Sequence, residues 1–234
     1  MKVAIMQPYF FPYIGYFQLI NAVDEFVVYD NIQFTKKGWI NRNRILVNGK
    51  EEYFSLPLKK DSDFLNICER YLADSWPEER KKMLNRIKES YRKAPHFERV
   101  FTVIESALLF EKKNLFEFIF NTILVIKDYL KIKTPLIISS SLLIDHSSKS
   151  ENKVLEISKA RKSTTYLNPI GGLELYSRKN FENEGIKLVF HKSNEIIYKQ
   201  YDNGFIPFLS IIDVMMFNSI EKIQPFLESF YTLI

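Results

Sequence analysis

Two rhythms of apolar and polar positions run along this chain: short runs that alternate or stay apolar, and longer stripes at helical spacing. "KVAIM" (2–6) is a compact apolar run and predicts a buried strand ended by Gln7-Pro8. In "YIGYFQLINAV" (13–23), Ile14, Phe17 and Leu19-Ile20 fall on one helical face. "EFVVYD" (25–30) is a second β-rich run, so the chain opens as strand, loop, helix, strand, the start of a βαβ unit. Next, "RILV" (44–47) and "EEYFSL" (51–56) flank Asn48-Gly49, a pair that favours a type I′ hairpin turn.

Helical stripes then take over. Ser75 and Glu78 bracket Pro77 as a capping box, with Leu84, Ile87 and Tyr91 along one face. Pro95 breaks that helix, a second begins near Phe97, and residues 113–130 make a third with a wide apolar face. The α/β rhythm returns with strands at 134–139, 164–169 and 186–191. A helix over 151–162, capped by Ser148 and Glu151, and a loop and helix over 171–185, ended by Gly185, separate them. Five parallel-type strands and one hairpin predict an open, mostly parallel, Rossmann-like α/β sheet. Residues 1–234 read as a single domain, with 65–130 as a helical insertion or cap. In the tail, "PFLSIIDVMMFNS" (207–219) puts Leu209, Ile212, Met216 and Phe217 on one helical side, with Asp213 inside the stripe. A carboxylate there must be paired or face a polar cavity.

Composition narrows the class. Apolar residues make up 46% of the chain and aromatics 15%, enough for a substantial core. With 33 basic against 28 acidic residues the net charge is +5, a mild excess that disfavours a dedicated nucleic-acid binder and suits an anionic substrate. The single cysteine, Cys68, excludes an intrachain disulfide and a multi-cysteine zinc site, and reads as filler. His96, His146 and His191 lack metal-ligand spacing, so no metal is implied. The opening is too short for a secretory leader, and 115–130 carries too many polar residues for a membrane span, which predicts a cytoplasmic protein. A homodimer is the default expectation for its assembly.

Three polar clusters are candidates for chemistry. In an open parallel sheet, ligands bind outside the carboxyl ends of the strands, where Gln7, Tyr9 and Tyr13 would stand. Gly15, at the helix start, permits close approach of a ligand or backbone, while Phe10, Phe11 and Phe17 read as scaffold. The second cluster, "KKGWINRN" (36–43), combines Lys36 and Arg42 for phosphate or carboxylate, Trp39 for a base or sugar face, and Asn41 and Asn43 for hydroxyls or amides. The third, "SSSLLIDHSS" (139–148), offers Ser139 and Ser140 at a strand end; Asp145, His146 and the following serines read as local turn chemistry. No glycine-rich phosphate loop and no nucleophile elbow is present.

Taken together, "QPYFFPYIGYFQLI", "DEFVVYDNIQFTKKGWINRNRI", "SSSL", "TTYLNPIGGLELY" and "YKQYDNGFIPFLSIIDVMMFN" resemble, in order and over nearly the whole chain, the WbqC-like family of bacteria. The resemblance implies a setting among genes for O-antigen and other surface polysaccharides. Position by position it emphasises Gln7, Pro8, Tyr9, Pro12, Gly15, Tyr16, Asp30, Gln33, Lys36, Trp39, Asn41, Arg42, Ser140, Tyr166, Ser210 and Asp213. This chain departs from it at Leu142, where an acidic residue is expected after the serines. "PYIGYFQLI" also has the shape of the His-x-Gly-His helix start of nucleotidylyl-transferase-like folds, with tyrosines in place of both histidines. Tyrosine supplies no imidazolium charge, so that analogy speaks for the fold more than for ATP chemistry.

These readings predict a transferase of surface-polysaccharide sugar biosynthesis that moves an acyl or aminoacyl group to a nucleotide-linked amino sugar. Asp213 and Gln7 would be catalytic, with Asp213 the general base or the partner that positions the substrate amine. Tyr9, Gly15, Asp30, Lys36, Trp39, Asn41, Arg42, Ser140 and Tyr166 would bind substrate, and acyl-CoA or ATP would serve as donor or activator. The alternative is a non-enzymatic nucleic-acid or glycan-binding module built on the basic aromatic patch 36–44.

Overall fold

The computed structural model describes residues 1–201 and 204–234; Asp202 and Asn203 of the tail motif lie outside the described residues. β1 (Lys2–Met6), α1 (Ile14–Asn21) and β2 (Glu25–Val28) form the expected opening unit. β3 (Arg42–Val47) and β4 (Lys50–Ser55) pair as a separate antiparallel hairpin. Asn48 and Gly49 both take positive φ, at 50° and 76°, as a type I′ turn requires. Three helices follow: α2 (Trp76–Tyr91), α3 (Phe97–Leu108) and α4 (Leu115–Tyr129). Then come β5 (Leu136–Ile138), α5 (Ser150–Ala160), β6 (Thr165–Pro169), α6 (Arg178–Asn183), β7 (Lys187–Ser193), α7 (Ile211–Phe217), α8 (Ile220–Ser229) and β8 (Tyr231–Leu233).

The main sheet has the order β5-β2-β1-β6-β7-β8. Its first five strands are parallel, and β8 closes the edge antiparallel to β7. β1 is central, and the chain walks outward on one side before crossing to the other at β6. The strand order therefore reverses between the carboxyl ends of β1 and β6, which is where such sheets leave a crevice. Both faces are covered, as the period-two alternation of the strands requires. Ala4, Phe26 and Val28 join the larger core with α1, the hairpin, α2–α4, α7 and α8, while Val3, Ile5 and Val27 pack with Tyr166, Phe181 and Val154 on the α5–α6 side.

Several local expectations change. Ser75 stands at the N-cap of α2 but makes no side-chain cap bond. The Ser148 hydroxyl donates to Glu156 Oε1 at 2.7 Å instead of capping α5, whose N-cap is Lys149. The tail helix is shorter than the apolar pattern suggests. Ser210 donates its hydroxyl to Phe11 O at 2.7 Å and accepts from Ile212 N, so α7 starts at Ile211. The unexpected final elements, α8 and β8, depend on α1: the buried Gln18 amide donates to Phe226 O at 2.7 Å and Phe230 O at 3.0 Å, satisfying carbonyls at the end of α8. Among the described residues no helix is long and apolar enough to cross a membrane.

His191 on β7 gives the sheet a pH dependence. It is 3% exposed, lies 4.5 Å from the Tyr231 ring, and has its Nε2 buried without a partner. Burial is the main cause that pushes its pKa down from 6.5 to about 4. Below about pH 6.5 the unfolded chain takes up a proton that the folded chain refuses, so this contribution to stability is full above pH 6.5 and is lost as pH falls towards 4. Allowing for partial solvent screening, the wild type should lose about 2 kcal/mol more than a His191→Leu variant between pH 7 and pH 4.5. Urea unfolding at the two pH values checks this; parallel losses in both proteins would refute it.

Candidate functional site

The opening loop leaves β1 at the carboxyl edge and is stitched down on two sides. Phe10 N donates to Ile40 O at 3.0 Å, and the buried Asn43 amide donates to Phe10 O at 3.2 Å and Phe11 O at 2.9 Å. Phe11 takes a positive φ of 41°, strained for an aromatic residue and held by these bonds and by Ser210. Phe10, Phe11 and Phe17 are fully buried, in line with their reading as scaffold. Tyr16 donates its hydroxyl to Gln7 O at 3.0 Å, which fixes the Gln7 backbone. Gln7 lines an open cleft of about 470 Å³ together with Ile32, Gln33, Phe34, Thr35, Lys36 and Asp63.

Tyr9 is half-buried, with its ring 5.8 Å from that of Tyr16. Burial and then neighbouring Tyr13 push its phenol up to about 12, so it serves as a neutral hydroxyl and not as a base. Gly15 is explained within the chain: a Cβ there would lie 2.4 Å from the Tyr13 ring, so the missing side chain makes room for that ring.

The segment after the hairpin gives the cleft Asp63 and is bonded to the residues that line it before the hairpin. Phe34 N donates to Leu65 O at 3.0 Å, Ile67 N to Ile32 O at 2.9 Å, and Cys68 N to Asp30 O at 3.2 Å. Gln33 Nε2 donates to Asp63 O at 3.0 Å, and Lys36 pairs with Asp63 at 2.7 Å. The Cys68 thiol is pushed up to about 11, by burial first and then by Asp30 and Glu69, so it stays protonated near neutral pH.

Deeper at the same edge, Asp30 is 1% exposed and accepts from Ser139 Oγ and Ser140 N, both at 2.9 Å. It ties the end of β2 to the end of β5. Ser139 contributes a hydroxyl to this tie and Ser140 its backbone N–H. The polar chain continues: Asn31 Nδ2 meets His146 Nδ1 at 2.8 Å, and Lys153 Nζ meets the same nitrogen at 3.0 Å. His146 Nε2 reaches Leu142 O at 3.0 Å, so these partners place the proton on Nε2 and leave Nδ1 as acceptor. Lys153 is 1% exposed and also donates to Asp145 O at 2.8 Å; burial lowers its pKa. Sequence reasoning passed over Asn31 and Lys153 and read His146 as local turn chemistry. The available signal was a lysine beside Val154 on the buried side of α5.

The basic aromatic patch is a separate feature. The Trp39 and Tyr53 rings stack at 6.2 Å and 22°, Arg44 lies 5.3 Å from the Trp39 centroid, and Arg42 lies 4.7 Å from that of Tyr53. Arg42 donates to Gly38 O at 3.1 Å and to Lys37 O, and Asn41 Nδ2 donates to Leu56 O at 3.0 Å. The donors of Arg42 and Asn41 thus hold the loop itself. Tyr166 is fully buried, stacked on Phe181 at 5.3 Å, with its hydroxyl on Asn168 Oδ1 at 2.9 Å.

Asp213 is also fully buried. It accepts from Tyr91 Oη at 2.9 Å, Tyr198 Oη at 2.6 Å and Gln200 Nε2 at 2.7 Å. Burial pushes its carboxyl up, and the three donors pull it back down. Tyr91 Oη in turn accepts from Leu46 N at 2.9 Å, so one carboxylate ties the hairpin, α2, α7 and the segment 198–200 together. The structure therefore brings Gln7 and Lys36 to one cleft, and Asp30 and Ser140 to one strand-end knot. Arg42 starts the hairpin and Trp39 stacks against it from the preceding loop, while Tyr166 and Asp213 lie in the interior.

An open, mostly parallel sheet whose order reverses at β1/β6, with a cleft and a polar knot at its carboxyl edge, defines an α/β protein of the doubly wound kind. Residues 7–225 match the WbqC-like protein family, and the chain belongs to it. A relative from Mycobacterium tuberculosis (strain ATCC 25618 / H37Rv), uncharacterized protein Rv1507c, is 28% identical over 218 residues, covering 92% of each chain. No solved structure matches the chain significantly.

Proposed function

We propose that the protein is an enzyme of bacterial surface-polysaccharide sugar biosynthesis that transfers an acyl or aminoacyl group to the amine of a nucleotide-linked amino sugar. The observation that carries this reading is the cleft of about 470 Å³ at the carboxyl ends of β1 and β2, with Gln7 and Lys36 in its lining. In the reaction the sugar nitrogen attacks the acyl carbon, a C–N bond forms, the donor's leaving group departs, and the amine gives up a proton. Asp30 is a buried carboxylate at this edge; its Oδ1 is engaged by Ser139 and Ser140, and its second oxygen carries no hydrogen bond among the described residues. In this reading it holds the amine from behind the cleft lining, of which it is not itself a part. Gln7 orients polar groups, and Lys36 meets negative charge at the mouth. Asp213, with three donors already upon it, serves the fold in this reading and not proton transfer. Residues 65–130 form a helical insertion within a single domain in this reading, and acyl-CoA or an ATP-activated acid is the donor class.

Incubating the full chain with nucleotide-linked amino sugars and either acyl-CoA or an amino acid plus ATP, followed by mass spectrometry, tests the reading. A product heavier by the acyl group is expected, with Asp30→Asn reducing kcat/KM by about 10²-fold or more. The exposed Trp39–Tyr53 stack, 38% and 48% exposed, favours a second reading as a glycan- or nucleic-acid-binding module. No product and no thermal shift with any nucleotide sugar, together with salt-dependent binding lost in Trp39→Ala, would replace the first reading with the second.

A further inference from the structure

Arg70 is a buried charge that the fold leaves without compensation. It follows a short 3-10 turn (Ile67–Glu69), is 5% exposed, and forms no ion pair among the described residues. Its Nη1 donates to Ser62 O at 2.8 Å, and its guanidinium carbon lies 4.9 Å from the centroid of the Phe34 ring. Nε is buried with no partner, and Nη2 has no protein partner among the described residues. Withdrawing a cation from water without a counter-charge is costly, and one carbonyl and one aromatic face recover only part of that cost.

The two groups that hold the guanidinium put it against the wall of the cleft, without making Arg70 one of its lining residues. Phe34 lines the cleft that begins at Gln7, and Ser62 directly precedes Asp63, which lines it as well. A guanidinium presents a planar fork of donors matched to two oxygens of one oxyanion. We propose that Arg70 is the anion anchor of this cleft and receives a phosphate of a diphosphate-bearing ligand. Lys36 is the second cation and the Gln7 amide an uncharged donor. Asp63 is the one carboxylate in the lining; its pair with Lys36 is exposed on both sides, 66% and 57%, so an entering anion displaces it at little cost. The assignment deepens the reading of the cleft as a nucleotide-sugar site and rests on it.

Thermal-shift and calorimetric titrations of the full chain with inorganic pyrophosphate, UDP and glycine test the anchor in wild type, Arg70→Met and Arg70→Lys. Wild type should bind pyrophosphate and UDP. Arg70→Met should melt at or above the wild-type temperature in anion-free buffer, because an uncompensated cation is gone, while its pyrophosphate affinity falls about 10- to 100-fold. A merely structural arginine gives the opposite pattern, a lower melting temperature with unchanged affinity, and that result overturns the proposal. If Arg70→Met does not fold, Arg70→Lys carries the test: a point charge in place of the fork should weaken pyrophosphate about fivefold or more, and wild-type affinity there overturns it. Stabilisation by glycine but not by pyrophosphate overturns the phosphate assignment. Pyrophosphate binding through Arg70 without sugar transfer keeps the anchor and removes the transferase reading. Transfer by Arg70→Met at wild-type kcat/KM does the reverse.

Discussion

Asp213→Ala should lower the stability of the protein by roughly 3–5 kcal/mol. The substitution takes the common acceptor from Tyr91, Tyr198 and Gln200 and leaves polar groups buried around a cavity. Each orphaned donor costs about 1–3 kcal/mol before relaxation, and the effects overlap because the groups share one acceptor. Asp213→Asn keeps the shape and one acceptor oxygen but turns an amide towards a donor, so an intermediate loss of about 2 kcal/mol is expected. Urea unfolding followed by circular dichroism should show a lower midpoint with an unchanged slope. A loss below about 1 kcal/mol in the alanine variant would show that the four segments meeting at Asp213 are held elsewhere.

Phe10→Ala should cost about 3–5 kcal/mol, the range for deleting a buried aromatic ring. Its ring lies 4.9 Å from Phe11, 5.3 Å from Phe54 and 6.5 Å from Phe118, joining the opening loop to the hairpin and to α4. The adjacent Tyr9→Phe, at a half-buried site where the ring is kept, should change stability by less than about 0.5 kcal/mol. Stability measured on the two variants separates scaffold from site within one motif. Equal losses at both positions would refute that division.

Where the chain's periodicity was strong, the reading from sequence met the structure. All five parallel strands, the type I′ hairpin at Asn48-Gly49 and helices α1–α5 lie within a few residues of expectation. α8 went unread because Pro225 interrupts a stripe otherwise visible in Ile220, Ile223 and Leu227, and the bonds from Gln18 to its end come from a helix some two hundred residues earlier. Capping failed at Ser75 and Ser148 because a capping pattern is local, whereas hydroxyl partners such as Glu156 are chosen by tertiary contact. The site was legible in position but less so in detail. Gln7, Lys36 and Asp30 stand at the carboxyl edge because strand order puts them there. Arg42 and Asn41 looked equally available, yet their donors go to nearby carbonyls, a choice residue type does not reveal. Asp213 met the first of the two conditions set for it, since it is fully partnered. Arg70 gave no signal, since nothing about an arginine in "ICERYL" announces burial.

The central position of β1 has a consequence for how the chain is made. β2 follows β1 and covers one of its edges within some twenty residues, but the partner on the other edge, β6, starts at Thr165. Until then the nascent chain carries a short apolar strand with one row of backbone groups unpaired, a template for association with another chain. Closure across so long a separation is slow, and the final seal of Gln18 on α8 waits for Phe226 and Phe230. Yield in a heterologous host should depend on chaperones that shield that open strand edge during synthesis.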